Sequence, residues 1–498
     1  MSEIIDNSKK TNSLKTITRL RDEGVNPYPD KFSKKIDIGE IIKLELGTLV
    51  ETAGRIILLR DIGKITFAHI QDFSGRIQIA AKEDVLGKEK YKWLLKTFDT
   101  GDFIGIKGEL FATKTGEKTI QVNEFIFLGK ALNAMPEKWA GIKNQELKYR
   151  QRYLDLIASP ETMKGFVFRS DLIREIRSFY WQNNFLEVET PSLMHSATGA
   201  VATPYITHNN ALDIDLYLRI SHELPHKTLI VGGFDKIFEI GKAFRNEGVD
   251  VSHLPEHTHL EHYAAYWNFE DNMNFTEKMF EHIFQALKIP LKITMEDGTE
   301  IDFSFPWPRV NFIELIKEKT GIDIMQFSEA DSLRNVIKEK SLQFDAMDTM
   351  SLAGLVDNLY KKVVRPKIIN PTFLYYYPTY LQPLARRNDD DGNIVDQFQL
   401  VVKGWEIVKA YSELVDPVDQ EERFMEQAKN KESGEDETME IDNNYIEAMS
   451  HGMPPISGLG LGIDRLTALL SGKSNLRDVV LFPLLRPDND KNTDSQEE

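Results

Sequence analysis

A strand in which glycine occupies every second position is the feature that most limits what this chain can fold into. Gly458-Leu-Gly-Leu-Gly-Ile-Asp-Arg465 leads directly into the apolar Leu466-Thr-Ala-Leu-Leu470. Alternate glycines leave one strand face without side chains, so either a flat ligand or a closely packed helix can lie against the backbone. The run ends by presenting Arg465 where a helix begins. The glycine pattern by itself leaves ligand binding and packing as equal alternatives.

Length and composition place the chain among large globular proteins. With 498 residues, and roughly 100–200 residues per domain, about two to four domains are expected. No apolar run approaches the ~20 residues of a membrane span, and the N-terminus lacks the apolar core of a signal peptide. The chain has 0 Cys, which excludes disulfides, thiolate catalysis and cysteine zinc sites. We therefore expect a soluble, cytoplasmic protein.

The formal net charge of -17 argues at first against a nucleic-acid partner, because lysine and arginine supply much of the affinity for phosphates. Part of this acidity lies in peripheral runs. One is Glu432–Glu440, and the other is the acidic tail 487–498, which is predicted to be disordered. A local basic surface is therefore compatible with the overall charge.

The hydrophobic pattern divides the first third of the chain into three segments. Residues 1–47 form an N-terminal extension with helical spacing at Leu14, Ile17 and Leu20 and a break at Asn26-Pro-Tyr-Pro29. Residues 48–132 contain five short alternating segments, which predict a small closed β-barrel. These are Val50–Leu58, Ile65–Ile70, Gly75–Ile79, Asp102–Leu110 and Thr119–Phe127. Residues 133–160 are predicted to be a polar linker.

Residues 161–486 are predicted to form a larger α+β domain. A helix is indicated at Arg169–Trp181 and a strand at Phe185–Thr190, which ends before Pro191. Further alternating segments lie at 215–220, 229–240, 257–266 and 398–414. Helices interrupt these strands irregularly, so we expect a mainly antiparallel sheet flanked by helices.

A strand, long loop and return strand are predicted between Phe244 and Tyr263. Arg245 ends the first strand, where its planar guanidinium suits a phosphate or carboxylate. Alternation in the return strand places the side chains of His257, His259, Glu261 and Tyr263 on one face. A zinc site at the two histidines is a weaker hypothesis than ordinary polar residues.

Three segments together resemble motifs 1, 2 and 3, in order, of the class II aminoacyl-tRNA synthetases. They are Asn184–Pro191, Phe244–Gly248 with its return strand, and Gly458–Arg465. The flanking sequence is most similar to the lysyl-tRNA synthetases of this class (class IIb subgroup). This similarity includes Tyr149–Leu156, Val231–Asp235, Ala410–Leu414 and Gly452–Pro455.

The resemblance implies a catalytic domain that binds ATP with Mg2+, an N-terminal OB-fold that reads an anticodon, and a homodimer. Arg245 would hold the α-phosphate of ATP and the amino-acid carboxylate, and Arg465 the γ-phosphate. Gly460 and Gly462 would lie beneath ATP. Glu247 and His253 would contact the adenine side and the phosphates, although an ordinary loop role is an equal alternative for both.

The resemblance also implies how lysine would be recognised. Glu261 and Glu413 would bind the side-chain ammonium, because a cation taken out of water needs carboxylate partners. Tyr263 would donate a hydrogen bond there. Glu223 and the backbone at Gly199 would receive the α-amino group. By composition alone, any single glutamate would more often be a surface charge.

Three residues depart from the family pattern. The phenylalanine that stacks on adenine is His257 here, so weaker ATP binding with some pH dependence is expected. Of the two metal-binding glutamates, the second is Glu406 but the first is Gln399, which predicts weakened Mg2+ binding. The asparagine near the substrate carboxylate is Lys409, which could pair with that carboxylate, pair with phosphate, or compete with lysine for Glu413.

One geometric requirement follows from these assignments. Glu406 and Glu413 are separated by an odd number of residues, so a regular strand would point them to opposite faces. A bulge or bend between them is therefore predicted.

In the barrel, the resemblance implies that Phe67 stacks on an anticodon base, with Arg60, Gln78 and Glu124 at neighbouring strand positions. An aromatic platform beside cationic and amide groups suits single-stranded RNA. The alternative for Phe67 is a place in the barrel core.

The resulting hypothesis is ATP-dependent activation of L-lysine to lysyl-adenylate, followed by transfer to tRNA(Lys). One alternative is a synthetase for aspartate or asparagine, which the two pocket glutamates oppose because they would repel an acidic substrate. The other is a catalytically weakened paralogue that acts as an RNA-binding or regulatory module, motivated by His257, Gln399 and Lys409.

Overall fold

The computed structural model describes residues 7–135, 144–199, 202–248, 250–432 and 442–487. The chain divides into two units, 1–144 and 145–498. Most of the acidic run Glu432–Glu440 and nearly all of the tail 487–498 lie outside the described residues. Among the described residues, none of the helices has the length and apolar character needed to span a bilayer.

The first unit is built on five strands: β1 (Leu49–Asp61), β2 (Ile65–Gln71), β3 (Arg76–Lys82), β4 (Phe103–Ala112) and β5 (Lys118–Gly129). They close into a barrel in the order β1-β2-β3-β5-β4, which confirms the predicted barrel. The helices among its described residues are α1 (Asn7–Asp22), α2 (Ile38–Ile41), α3 (Glu83–Leu86) and α4 (Lys88–Thr97).

Helix α1 buries Ile17 and Leu20 but leaves Leu14 exposed. It ends before the predicted break at Asn26–Pro29, because Gly24 adopts a left-handed conformation with φ of 75° just after Asp22.

The second unit contains eleven helices among its described residues. They are α5 (Gln145–Arg150), α6 (Arg152–Ala158), α7 (Pro160–Gln182), α8 (Glu223–Val231), α9 (Phe269–Leu287), α10 (Phe312–Thr320), α11 (Ala330–Glu339), α12 (Leu352–Leu359), α13 (Pro417–Glu432), α14 (Asn443–Ser450) and α15 (Ile463–Leu470). Short 3-10 segments lie at Ile324–Gln326, Met347–Thr349, Arg365–Lys367, Thr379–Leu381 and Leu476–Asp478, and a π-helical turn at Tyr360–Val364.

The strands of this unit form three sheets. They are β6 (Leu186–Glu187), β7 (Leu193–Met194), β8 (Ile206–Asn209), β9 (Ile214–Leu218), β10 (Lys236–Phe244), β11 (Glu256–Ala265), β12 (Lys292–Thr294), β13 (Glu300–Asp302), β14 (Arg309–Asn311), β15 (Thr372–Pro378), β16 (Ile394–Val402), β17 (Trp405–Ser412) and β18 (Ile456–Gly462). The large sheet has the order β14-β15-β16-β17-β18-β11-β10-β6, and the small ones are β12-β13 and β7-β9-β8. Pairing in the large sheet is antiparallel except at β14-β15 and β10-β6, as the predicted α+β architecture requires.

The large sheet has one face in the core and one face turned toward the candidate site. Leu260 of β11, Val408 of β17 and Leu461 of β18 are fully buried or nearly so, and they pack in one cluster with side chains of α7, α9 and α15. Because successive side chains of a strand alternate, the residues on either side of each of these three in its own strand face the other way. The apolar core therefore fixes which residues the sheet presents for chemistry.

Three predicted segments differ from the structure. Residues 229–240 were expected to be extended, but 229–231 end helix α8 and the strand begins at Lys236. The expected strand Phe185–Thr190 contributes only Leu186–Glu187 to the sheet. Of the predicted linker 133–160, residues 136–143 are outside the described range. Residues 145–158 form α5 and α6 in the second unit, where Arg152 donates hydrogen bonds to the backbone oxygens of Arg477 and Leu481.

Candidate active site

A cavity of about 850 Å³ lies within the second unit, on the face of the large sheet opposite the apolar core. Its walls are strands β11, β17 and β18, the loop between β10 and β11, and the segment Thr349–Arg365. All of the site residues that were predicted for the catalytic domain line it. They are Gly199, Glu223, Arg245, Glu247, His253, His257, Glu261, Tyr263, Gln399, Glu406, Lys409, Glu413, Gly460, Gly462 and Arg465.

Strand alternation brings four of these residues together, as predicted. His257, His259, Glu261 and Tyr263 all line the cavity, whereas Leu260 between them lies in the core. Glu261 and Tyr263 are buried, and the two histidines are half-buried. The polar face of β11 is therefore the central wall of the site.

The predicted irregularity between Glu406 and Glu413 is confirmed as a bulge in β17. Val401 pairs with Glu406 but its neighbour Leu400 pairs with Val408, so Ile407 is an extra residue in β17. A bulge reverses the facing of the residues beyond it. It lets both glutamates line the same cavity despite their odd separation.

The three glycines of β18 do not all serve the same purpose. A Cβ on Gly458 would collide with the Tyr263 ring and the Glu413 carboxylate, so this glycine allows close packing. A Cβ on Gly460 would lie 3.0 Å from Cε1 of His259, and one on Gly462 would meet nothing closer than 3.9 Å. The bare strand face at Gly462 is thus open to the cavity. Close packing therefore explains Gly458, and ligand binding at Gly460 and Gly462 stays a prediction.

One end of the cavity is cationic. Arg245 follows β10, and Arg465 lies in the first turn of α15, where its Nη1 donates to the backbone oxygen of Glu406 at 3.0 Å. Helix α15 is held to β11 because the Thr258 N–H donates to Asp464 Oδ2 at 2.9 Å. Burial, with Arg245 among the neighbouring charges, lowers the pKa of Arg465. Two guanidinium groups facing one cavity form a site for polyanionic oxygens.

His257 lies beside this cationic end, and its titration differs from what the sequence suggested. Burial lowers the pKa of His257 to about 2, and the charges of Arg245 and Arg465 act in the same direction. The imidazole is therefore neutral throughout the physiological range. A neutral His257 gives no support to the expected pH dependence of ATP binding, which stays a prediction.

The other end of the cavity is anionic, and Glu261 is its most tightly held group. Its Oε1 accepts hydrogen bonds from Ser221 Oγ at 2.9 Å and from the backbone N–H of His222 at 3.0 Å, and lies 3.1 Å from His259 Nδ1. Burial alone would raise the pKa of Glu261, but the contacts to His222 and His259 outweigh it and hold the pKa well below its usual value. Glu261 is therefore a fixed carboxylate.

Lys227 is the residue at this end that the sequence did not reveal. Its side chain is fully buried, donates to Glu223 Oε1 at 2.6 Å and forms an ion pair with Glu413. Burial alone would lower the pKa of Lys227, but the two carboxylates raise it, so the ammonium stays charged. The available signal was the Glu223-to-Lys227 spacing of four on one helix face, which the unrecognised helix α8 concealed.

Lys409 does not take the position of a competitor for Glu413. The ion-pair partner of Glu413 among the described residues is Lys227, and the Lys409 ammonium lies 5.9 Å from the Tyr411 ring centroid. Of the three alternatives for Lys409, the pairing with Glu413 is therefore absent from the structure, and the pairings with a substrate carboxylate or phosphate remain.

The carboxylates at the anionic end exceed the charge of their lysine partner. Among the described residues there, Glu223 and Glu413 share the ammonium of Lys227, and Glu261 is a third carboxylate, in contact with Ser221, His222 and His259. The pKa of Glu413 is raised to about 8, chiefly by burial and also by the neighbouring carboxylates, whereas Lys227 opposes the rise. An added cation would offset the excess negative charge of these carboxylates, so the anionic end is suited to bind one.

Three further residues of the predicted site have partners of their own. His253, in the exposed loop before β11, has its Nδ1 2.9 Å from Asp250 Oδ2. The Gln399 side-chain oxygen accepts a hydrogen bond from the Tyr360 hydroxyl at 3.1 Å. Gly199 has φ of 89°, and its Cβ position would lie 3.4 Å from Cβ of Glu223. These contacts fix positions but do not assign roles.

In the barrel, Phe67 lies on the outer face of β2. Its neighbours Ala68 and Ile70 are in the core, whereas Phe67 is half-buried and is not part of that cluster. Phe67 pairs directly with the exposed Arg60 across β1 and β2. The core alternative for Phe67 is therefore wrong.

Gln78 and Glu124 lie at different distances from this aromatic. Gln78 pairs with His69, two residues along the strand from Phe67, and its amide bonds Glu117 and Thr119 at 2.8 Å each. Glu124 is exposed on β5, beyond a bulge opposite Lys107. Of the predicted residues, Arg60 and Gln78 are therefore the ones that lie beside Phe67 on the outer face.

Replacing Lys227 by methionine should destabilise the protein strongly. The change leaves Glu223 and Glu413 buried without their cation, which costs roughly 3–5 kcal/mol in the free energy of unfolding. Urea denaturation followed by circular dichroism measures the effect. The control is Lys164→Met, whose ion pair with Glu161 is 71% and 79% exposed, and it should leave the transition in place. Equal transitions for wild type and Lys227→Met would contradict the buried ion pair.

Comparison with known proteins assigns both units. A family model described as tRNA synthetases class II (D, K and N) matches residues 144–486, and one described as an OB-fold nucleic acid binding domain matches residues 50–128. The lysine–tRNA ligase of Aquifex aeolicus is 46% identical over 443 residues, covering 89% of this chain and 74% of that protein. Those of Fervidobacterium nodosum and Pelotomaculum thermopropionicum are 45% and 42% identical, covering 96% and 98% of this chain and 94% and 98% of those proteins. The chain therefore belongs to the class II tRNA synthetases.

Proposed function

We propose that this chain attaches lysine to its tRNA in an ATP-dependent reaction that passes through lysyl-adenylate. The observation that carries the proposal is the charge separation within one cavity. Arg245 and Arg465 form a cationic end for phosphates and carboxylate, and Glu223, Glu261 and Glu413 form an anionic end that is short of cations. Lysine carries a carboxylate at one end and an ammonium at the other, which matches this arrangement. The names of the similar proteins support the same substrate.

In the activation step, a carboxylate oxygen of lysine attacks the α-phosphorus of ATP, and the bond to the β-phosphate oxygen breaks to release pyrophosphate. We assign Arg245 to the α-phosphate and the lysine carboxylate, and Arg465 to the γ-phosphate. Arg465 is held before reaction by its bond to the Glu406 backbone oxygen, and both cations would stabilise charge as it develops. No covalent intermediate with the protein is needed.

ATP would lie against the open part of β18 at Gly460 and Gly462. Neutral His257 would stack on the adenine ring, with Glu247 and His253 as loop contacts to the nucleotide. An imidazole offers less apolar area than a phenyl ring, so this stacking contributes less to ATP affinity. Lys409 remains free to pair with the substrate carboxylate or a phosphate.

At the other end, Glu261 and Glu413 would hold the lysine side-chain ammonium, with the Tyr263 hydroxyl beside them. The Tyr263 hydroxyl already lies 3.4 Å from Glu261 Oε2. Glu223 and the backbone at Gly199 would receive the α-amino group. In the second step, a hydroxyl of the terminal tRNA ribose attacks the lysyl carbonyl carbon, and AMP leaves.

The donor set at Glu406 and Gln399 fits Mg2+ with one anionic ligand fewer than two glutamates would supply. A carboxylate and an amide oxygen are both ligands for this hard cation, and the amide oxygen of Gln399 keeps a second lone pair beyond its bond from Tyr360. When bound, Mg2+ would neutralise phosphate charge.

A homodimer built on the motif 1 region is part of this proposal. Trp181, near the end of α7, and Leu186, in the edge strand β6, are 55% and 53% exposed. Large apolar side chains on an unpaired sheet edge favour contact with a second chain. The tRNA would be read by the outer face of the barrel at Arg60, Phe67, Gln78 and Glu124, and its charging would take place in the cytoplasm.

The test of the reaction is ATP–pyrophosphate exchange measured separately with each amino acid. We expect exchange that depends on L-lysine. Exchange with aspartate or asparagine alone would overturn the substrate assignment, and the absence of exchange with every amino acid would overturn the activity.

The affinity for lysine should rise with pH in the neutral range. Below about pH 8, Glu413 is increasingly protonated and its attraction for an ammonium is lost, because its pKa is raised to about 8. We therefore expect the KM for lysine to fall as pH rises through 8, by at most about tenfold per pH unit for one linked proton. Glu413→Gln should raise the KM for lysine more than that for ATP and should remove the pH slope. An unchanged slope in Glu413→Gln would exclude this carboxyl as its source.

Replacing Phe67 by alanine should weaken tRNA recognition without affecting amino-acid activation. Stacking on a base is worth about 1–3 kcal/mol, so the KM for tRNA should rise by about tenfold while lysine-dependent exchange is unchanged. Phe103→Ala is the matched control, because Phe103 is a 40% exposed aromatic on another barrel strand. Equal effects of the two substitutions would rule out Phe67 as a specific platform.

A further inference from the structure

Two histidines at the anionic end have no part in the proposed reaction, and both turn a ring nitrogen toward Glu261. His259 lines the cavity, and His222 is buried behind it. His222 Nδ1 is 3.4 Å and His259 Nδ1 is 3.1 Å from Glu261 Oε1. One ligand atom from each of these three residues lies within 4.8 Å of the other two. We propose that His222, His259 and Glu261 bind a divalent transition-metal ion, with Zn2+ as the ion that best fits the set.

The separations suit a small tetrahedral ion. Zinc lies about 2.0–2.2 Å from imidazole nitrogen and carboxylate oxygen, which places tetrahedral ligand atoms about 3.3–3.6 Å apart. The two nitrogen-to-oxygen separations of 3.4 and 3.1 Å are close to this range. These two pairs therefore need little movement to form the site.

His222 also has the outer partner that a metal-binding histidine needs. Its Nε2 is buried without a regular hydrogen-bond partner and lies 3.5 Å from Glu239 Oε1. Glu239 is itself held by Arg219 at 2.6 Å and by His226 at 3.1 Å. Metal-bound imidazoles commonly donate their second N–H to such a carboxylate, which orients the ring.

Coordination through Nδ1 requires the His222 tautomer that carries its proton on Nε2, the nitrogen that lies beside Glu239. A carboxylate beside Nε2 favours this tautomer.

The set also has the character of an open zinc site. The His222 ring is fully buried and the Glu261 side chain is 4% exposed, whereas the His259 side chain is 18% exposed on the cavity wall. Three protein ligands leave a fourth position, which here faces the cavity and can take water or a ligand atom. Imidazole with carboxylate favours zinc and its neighbours in the first transition row over Mg2+ or Ca2+.

Zinc bound here would exclude a lysine ammonium from Glu261, since it neutralises the carboxylate and repels a second cation. This consequence rests on the proposed function, whereas the metal site does not. The two are therefore separable by experiment.

The metal site is tested by zinc content. Full-length protein is dialysed against Zn2+ and then against metal-free buffer, and bound zinc is measured by atomic emission, with the visible spectrum of a Co2+-loaded sample as a second readout. We expect about one zinc per chain in the wild type and at least a tenfold loss of zinc affinity in His259→Gln and Glu261→Gln. His259 is the main test because its partly exposed ring is the easier one to replace without unfolding, which thermal denaturation checks.

The matched control is His257→Gln, a histidine on the same strand face whose ring centroid is 5.9 Å from that of His259. It should retain zinc. Wild-type protein without bound zinc, equal zinc in His259→Gln and wild type, or an equal loss in His257→Gln would each overturn the assigned site.

Competition with L-lysine then separates the two proposals. Displacement of zinc by lysine, with zinc inhibiting exchange, supports a shared Glu261. Stoichiometric zinc that lysine does not displace supports the metal site and removes Glu261 from the ammonium site. Lysine-dependent exchange in a protein that binds no zinc overturns the metal site alone.

Discussion

The two-sided character of the large sheet is the constraint on which the rest of the second unit depends. Three strands pack against the core helices through Leu260, Val408 and Leu461. Because side chains alternate along a strand, this packing determines which residues face the cavity. A register shift of one residue in β11 would bury His259 and Glu261 among apolar side chains and expose Leu260. The apolar core thus determines which side chains line the cavity, because it fixes the register of three neighbouring strands.

The bulge at Ile407 interrupts this alternation in β17 and changes which residues line the cavity. Without it, Glu406 would point into the core when Glu413 points into the cavity. With it, β17 and the residue that follows it supply one carboxylate, Glu406, near the cationic end of the cavity and a second, Glu413, at the anionic end. Arg465 secures the same place, because its guanidinium bonds the backbone oxygen of Glu406 at 3.0 Å.

The cavity has a cationic end and an anionic end, and burial strengthens the effect of these charges on the pKa values of nearby groups. Burial and the arginines at one end keep His257 neutral. At the other end the carboxylates keep Lys227 charged, and burial together with neighbouring carboxylates raises the pKa of Glu413 to about 8. Both effects result from desolvation combined with fixed neighbouring charges. A substrate with a carboxylate and an ammonium would complement both ends. The metal ion proposed at His222, His259 and Glu261 would also offset the negative charge of the anionic end.

The sequence by itself determined the barrel, the polar face of β11, the open strand at Gly462 and the need for a bulge in β17. Each of these follows from local periodicity or from spacing along one element. Only the tertiary structure decided that Lys227 pairs with Glu413, that His222 lies between Glu239 and Glu261, and that the His257 imidazole is uncharged. These facts depend on pairs of residues far apart in the chain and on how much water burial removes, neither of which a periodic pattern records.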